Sequence, residues 1–373
     1  MEDLVTLPDF GLGWLDASGP HADVVLSTRV RLARNLQGHA FGTRTREGER
    51  EQVLARVREA ASRAQSLRGG VALELEALPR LSRKILLERH LVSRELSGED
   101  GGGRPPVGAA LFLGQRESLG VMVNEEDHLR LQGMLSGLRL QEAYRLVDRL
   151  DEELGQTLPF AYHPEFGYLT ICPTNVGTGL RASVLIHLPG LVLTKEIGKV
   201  LQGLNQVGLT FRGLYGEGSD VIGNFFQISN QTTLGKSEED LVDHLQKIVR
   251  QVIQYEMQAR GVLMRDAPTV IEDKIWRAYG LLRYARSLSF EEVMNLLSGL
   301  RLGASMKLLP GLSVYTLNKV MIYMQAAHLE QAAGRPLSEA ECDVHRAAYV
   351  RRILATEGHV PADADVPPET GER

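Results

Sequence analysis

Cysteine is nearly absent from this chain. Cys172 and Cys342 are the two in 373 residues. They stand far apart, outside any Cys-x-x-Cys or Cys/His spacing, which argues against a disulfide framework and a structural zinc site. Long apolar runs are missing as well. No stretch approaches the roughly 18 residues of a membrane span, and the acidic opening MEDLVTLPDF lacks a signal-peptide core, so the chain is expected in the cytoplasm and away from membranes. Nor is there an excess of positive charge. With 42 Lys and Arg against 47 Asp and Glu, a net charge of −5, a general nucleic-acid binder is excluded, because non-specific phosphate binding needs a basic surface. Clustered arginines here must serve a local anion. No internal repeat is evident. What remains, 43% hydrophobic and 24% charged residues, is the composition of an ordinary globular protein long enough for a large domain and a smaller one.

Strands are expected at 24–32, 108–113, 120–123, 168–172, 181–188, 209–214 and 224–228 from apolar and β-branched runs bounded by turn residues. Their short connections favour an antiparallel meander. Helices are expected at 50–66, 82–96 and 141–154. A longer one starts near Ser237, with Leu241, Leu245, Ile248, Val249, Val252 and Ile253 on one stripe. The run GEDGGGRPP at 98–106 reads as a flexible surface loop. A boundary falls near 260–268, where the long helix is expected to end at Gly261. Beyond it, Ser289-x-x-Glu292 and Ser338-x-x-Glu341 carry the capping-box pattern of helix starts. The apolar helices after 268 form either a dimer surface or an internal core.

Four segments carry chemistry. In NEEDHLR at 124–130, Glu125, Glu126 and Asp127 repel one another and call for a cationic partner, for which a substrate guanidinium is the clear choice. In VVLSTRVRLARN, Arg29 and Arg31 are two apart on a strand and so share one face. Two guanidinium forks aimed alike match phosphate oxygens, although an arginine-rich strand edge reads the same way. In CPTNVGTGLRASV, Pro173, Gly177 and Gly179 shape a loop that exposes backbone N–H groups and the Thr174 and Thr178 hydroxyls. It lacks the Gly-x-x-x-x-Gly-Lys-Ser/Thr form of a P-loop. In FRGLYGEGSD, Arg212 precedes a glycine-rich segment with Glu217 and Asp220, suited to closing over a ligand.

In that order STRVRLARN, NEEDHLR, CPTNVGT with a following RASV, and RGLYGEG resemble the phosphagen (guanidino) kinase family over roughly residues 20 to 260. Three features depart from its small-guanidino members. The chain starts shortly before the first motif, leaving no room for their upstream helical substrate domain; a helical region follows residue 260; and Tyr215 stands where they carry a further phosphate-binding arginine. These departures resemble the branch that phosphorylates arginine side chains in proteins, for which an enclosed amino-acid pocket would exclude the substrate.

The resemblance implies an α+β fold, a large mostly antiparallel sheet flanked by helices, with an all-α C-terminal domain. The catalytic domain would span 1–260, a helical domain for phosphoarginine binding or dimerisation 261–357, and a disordered tail 358–373. It implies ATP, with Mg2+ held by phosphate oxygens and water, and transfer of the γ-phosphate to protein arginines that are thereby marked for Clp-type proteolysis. Kinase action on a small free guanidino compound and a non-catalytic phosphoarginine-binding adaptor are the alternatives. Glu126 is the implied base, with Glu217 or Asp220 as the second carboxylate. Cys172 is implied as a thiol near the substrate nitrogen, or else a small buried residue. The implied nucleotide contacts are Ser27, Thr28, Arg29, Val30, Arg31, His90, Arg130, Arg181, Ala182, Ser183, Val184, Leu185, Arg212, Gly213, Leu214, Tyr215 and Gly216. In CDVHRA, Asp343 and Arg346 match a phosphoarginine-binding motif whose first arginine is here Cys342; a helix with an i, i+3 ion pair is the other reading. Expected partners are proteins with exposed arginines, an activator protein, a Clp-type protease and a second copy of the chain, but neither nucleic acid nor membrane.

Overall fold

The computed structural model describes residues 11–42, 45–100, 102–213 and 221–356. The tail expected at 358–373 lies outside them. Contacts divide the chain into two compact units, one of residues 1–221 and 225–260, the other of 222–224 and 261–373.

Within the first unit, β1 (Val25–Arg34), β2 (Val71–Glu74), β3 (Ala110–Leu113), β4 (Leu119–Val123), β5 (Leu129–Ser136), β8 (Leu180–His187), β9 (Leu209–Arg212) and β10 (Phe225–Asn230) form one sheet. Its order is β2-β3-β4-β5-β1-β8-β10-β9, antiparallel at every pairing. A separate hairpin joins β6 (Tyr162–His163) to β7 (Gly167–Tyr168). The helices are α1 (Glu47–Arg63), α2 (Arg80–Glu88), α3 (Arg94–Ser97), α4 (Leu140–Gly155), α5 (Pro189–Leu193), α6 (Ile197–Gln206) and α7 (Glu238–Asp266).

The two-residue period of the strands sorts the sheet into unlike faces. Val30 and Leu32 of β1, Leu129 and Leu131 of β5, Ala182, Val184 and Ile186 of β8, and Phe226 and Ile228 of β10 are buried in one core. Val53 and Val57 of α1, Val147 and Leu150 of α4, and Leu245, Val249 and Val252 of α7 complete it. Burying such side chains is the main favourable term in folding. Packing is close enough that a Cβ on Gly133 would lie 2.6 Å from Val147 Cγ2. The alternate residues Arg29, Arg31, Arg130 and Arg181 fall on the opposite face.

Several boundaries differ from expectation. The strand expected at 168–172 is only the pair Gly167–Tyr168, because Pro173 has no N–H and the Ile171 N–H is taken by Asp127. Segment 129–136, where no strand is expected from the sequence, is a strand. The helix expected at 82–96 is two, parted at His90, whose φ is 58°. Helix α7 passes Gly261 and runs to Asp266; one glycine costs only about 1 kcal/mol in a helix. Loop 98–106, where described, is held: the Gly103 N–H donates to the Gly98 carbonyl, and buried Arg83 donates to the Gly103 carbonyl.

The second unit packs α8 (Pro268–Tyr284), α9 (Phe290–Ser305), α10 (Val314–Tyr323), α11 (Ala326–Ala333) and α12 (Glu339–Thr356). Ile275, Leu282, Val293, Leu297, Leu317, Met321, Val350 and Leu354 are buried, so these helices do form an internal core, while Val270, Leu281 and Tyr284 of α8 remain exposed. Ser289 Oγ accepts from the Glu292 N–H. At Ser338 the full reciprocal box is present, with Glu341 accepting from the Ser338 N–H and Ser338 Oγ accepting from the Glu341 N–H.

Candidate active site

Cross-strand register gathers the arginines. Arg31 lies opposite Gln132 on β5 and Arg181 on β8. Arg29 and Arg130 are each two residues along a strand from one of these positions, so all four guanidinium groups rise from one sheet face. Arg212 on β9, opposite Gln227, joins them. A cavity of about 420 Å³ opens there, lined by Arg31, Arg130, Arg181 and Arg212 with Glu126, Cys172, Thr174 and Asn175. A smaller cavity beside it is lined by Trp14, Ser27, Arg29, His90, Met134, Ser183, Leu185 and Gln227.

The electrostatics are lopsided. Burial, then the neighbouring Arg130 and Arg181, pushes Arg29 down to about 10 despite Glu125. Arg31 is driven well below the usual arginine value by burial and by Arg29, Arg130 and Arg181. Its Nε is buried without a hydrogen-bond partner among the described residues. Like charges brought this close in a partly desolvated site favour an anion strongly, and guanidinium forks fit phosphate best.

The three carboxylates of NEEDHLR do not converge on an empty space. Arg130 itself is their cation, 2.5 Å from Glu125 and 2.9 Å from Glu126. Burial would lower the Arg130 pKa, but Glu125, Glu126 and Asp127 together raise it. Glu125 is enclosed at 2% side-chain exposure, whereas Glu126 keeps 35% and faces the larger cavity. Asp127 turns away. Its Oδ1 accepts from Asn35 Nδ2 at 2.7 Å and from the Ile171 N–H at 2.9 Å. Asn35 Oδ1 accepts from the His128 N–H and Asn35 Nδ2 donates to the Leu169 carbonyl. The acidic loop and the strand-to-cysteine loop are thereby tied to one another through the end of β1.

Cys172 is partly exposed, its Sγ 3.0 Å from Thr174 Oγ1. The Thr178 hydroxyl, expected to face a ligand, is buried and accepts from the Leu180 N–H, while the Thr178 carbonyl accepts from Arg34. Gly179 sits at φ 69°, where a Cβ would lie 2.6 Å from the Ala33 carbonyl oxygen, so glycine alone fits that approach.

Parity also divides the remaining expected contacts. Ser27, Ser183 and Leu185 reach the open face. The side chains of Val30, Ala182 and Val184 lie in the core, and the Thr28 hydroxyl donates to the Gly137 carbonyl, so these four have only backbone to offer. His90 lies with its ring edge-on to Trp14, centroids 5.7 Å apart, and burial followed by Arg29 lowers it to about 4. Gly213 ends the described part of its segment; Leu214, Tyr215, Gly216, Glu217 and Asp220 lie outside the described residues. In the helical unit Arg346 is buried, donating to the carbonyls of Met324 and Leu288 and to Asp343. The i, i+3 ion pair is thus present, and the backbone acceptors keep that guanidinium turned inward.

Trp14, Met134, Gln132, Gln227 and Asn175 were not singled out from the sequence. Gln132 and Met134 could have been found by extending the i, i+2 rule from Arg130; Trp14 carries no such signal. Among the described residues no group of three His, Cys, Asp or Glu is placed to hold a metal, and no helix is long and apolar enough to cross a membrane.

Residues 52–259 match the model of the ATP:guanido phosphotransferase C-terminal catalytic domain, and residues 268–364 that of the protein-arginine kinase McsB C-terminal domain. A protein-arginine kinase of Pelotomaculum thermopropionicum is 47% identical over 345 residues, 92% of this chain and 95% of that protein. One of Moorella thermoacetica is 46% identical, over 92% of this chain and 97% of its own length. Among solved structures, the duplicated taurocyamine kinase of Schistosoma mansoni aligns with a TM-score of 0.59 and 30% identity over 68% of this chain, which spans 36% of that longer one. A lombricine kinase aligns with a TM-score of 0.56 and 25% identity, over 67% of this chain and 71% of its own.

Proposed function

The chain belongs to the ATP:guanido phosphotransferase family, and we infer from that membership and the arginine face how it works as a protein-arginine kinase, moving the γ-phosphate of ATP to arginine side chains of proteins. The observation that carries the reading is the meeting of Glu126 with Arg31, Arg130, Arg181 and Arg212 around one cavity. One carboxylate there is open to a guanidinium, and four guanidinium groups stand around the same cavity, a donor set that matches phosphate oxygens.

A guanidinium is protonated at physiological pH and nucleophilic only as a proton leaves. The target arginine enters beside Cys172 and Glu126. Glu126 orients one of its nitrogens and takes the proton as the N–P bond forms and the bond from phosphorus to the departing ADP oxygen breaks. Glu217 or Asp220 supplies the second carboxylate. The arginines neutralise charge on the transferring phosphoryl group, the main task in this chemistry. Glu125 holds Arg130 in place, leaving Glu126 free to exchange that arginine for substrate. The smaller cavity, with Trp14 and His90, is about 30 Å³, too small to enclose a nucleoside, which would lie over it and not inside it. Magnesium arrives as part of the ATP substrate, bound by phosphate oxygens and water. The modified proteins go to a Clp-type protease, an activator protein acts on the kinase, and the exposed apolar face of α8 pairs two copies.

The test is to incubate the protein with γ-labelled ATP and, separately, an unfolded protein and free arginine. Acid-labile label on the protein is expected. Label on free arginine alone would make this a small-guanidino kinase, and no label on either would point to an adaptor or to an obligatory activator.

A further inference from the structure

Gln132 has no place in the motifs that mark the site. It sits on β5 between Arg31 of β1 and Gly120 of β4 and is 4% exposed. Its Oε1 accepts from Arg29 Nε at 2.7 Å and from a terminal nitrogen of the same guanidinium. Its Nε2 donates to the His90 carbonyl at 3.1 Å. One carboxamide therefore joins an arginine to the point where α2 ends at a left-handed residue, and both Arg29 and His90 line the smaller cavity.

The choice of an amide is informative. Two donors on one edge of Arg29 are satisfied, which fixes its rotamer, and the other N–H groups are left for a ligand. Arg29 gains this acceptor without a counter-charge. A carboxylate of the same length would hold the same edge, but it would also neutralise a guanidinium that lies among Arg130 and Arg181 with Glu125 as the opposing charge. The ligand-free protein would gain from that carboxylate, and a polyphosphate would lose.

We propose that Gln132 is a positioning residue for the nucleotide, holding Arg29 in place for the polyphosphate without adding a negative charge beside it and pinning the His90 segment of the smaller cavity to it. This rests on the reading of the arginine face as the ATP site. A residue needed only for packing would lose stability and ATP binding together. Gln132 should separate them.

The test compares wild type, Gln132→Glu and Gln132→Met by melting of the ligand-free protein, direct ATP binding and steady-state kinetics with a protein substrate. Gln132→Glu is expected to melt at or above the wild-type temperature while its KM and Kd for ATP rise about tenfold or more, with kcat at saturating ATP within about threefold. Gln132→Met, which has neither acceptor nor donor, is expected to melt lower and to raise the KM for ATP several-fold. Wild-type ATP affinity in either variant overturns the proposal, as does a Gln132→Glu protein that melts well below wild type. Wild type that binds no ATP would instead overturn the reading of the site, so the two failures are distinguishable.

Discussion

The guanidinium carbon of Arg34 lies 3.5 Å from the centroid of the Tyr168 ring. The same group donates to both Asp151 oxygens and to the Thr178 carbonyl, so one buried cation fastens β1 to α4 and to both ends of the loop that carries Cys172. Replacing Asp151 by Asn leaves Arg34 buried without its counter-charge. A loss of about 3–5 kcal/mol is expected in urea unfolding. Tyr168→Leu keeps the ion pair and removes a cation–π contact, and should cost about 1–2 kcal/mol. Equal losses would show that the ring matters as much as the charge.

Glu126→Gln removes a proton acceptor at nearly constant shape. Transfer to protein should fall by about 10²–10⁴, the usual range for a general base, while the Kd for ATP stays near wild type. Labelled phosphate transfer and ATP titration read the two quantities separately. Retained transfer would remove Glu126 from the role of base.

Asp127→Ala acts at one remove. It strips the acceptor from the Ile171 N–H and from Asn35, at about 1–3 kcal/mol for a buried unsatisfied donor, and releases the cysteine loop from the acidic loop. The expected outcome is a fall in kcat of about tenfold, since a small misplacement of substrate-facing groups is costly, with a smaller change in the KM for ATP, because Asp127 reaches the arginine face only as one of three carboxylates acting on Arg130. A change confined to the KM for ATP would contradict this.

Acid should weaken the ligand-free fold through His90. Burial and Arg29 hold its folded-state pKa at about 4, below the roughly 6.5 of an unfolded histidine. Between these values the unfolded chain binds a proton that the folded one does not, so stability rises with pH across that window and is lost as pH falls through it. Melting curves from pH 4 to 7 should have a shallower slope in His90→Gln than in wild type. Identical slopes would place the acid sensitivity elsewhere.

The arginine face was legible because strand parity is a local rule. Arg29 and Arg31 are two apart, and two apart on a strand means one face. The pairing of Asn35 with Asp127 spans 92 positions and has no periodic trace. Strand β5 leaves little trace in the sequence because its first residues follow three carboxylates and Gly133 interrupts its apolar pattern. That glycine is there for Val147, a neighbour on another element. Gln132 leaves no signal for a different reason. An uncharged residue among arginines draws no notice until its two partners are known. Gly261 points the opposite way, as a helix-stopping residue that α7 passes through at a cost of about 1 kcal/mol.

The division of the sheet into an apolar face and an arginine face constrains how such a chain can drift. Adding or deleting one residue within β1, β5 or β8 would turn every side chain beyond that point to the other face, placing guanidinium groups among Leu131 and Val184 and leaving valines where the arginines were. One such event would cost the fold and the chemistry together. A change of length is therefore tolerated far better in the connections between strands than within them.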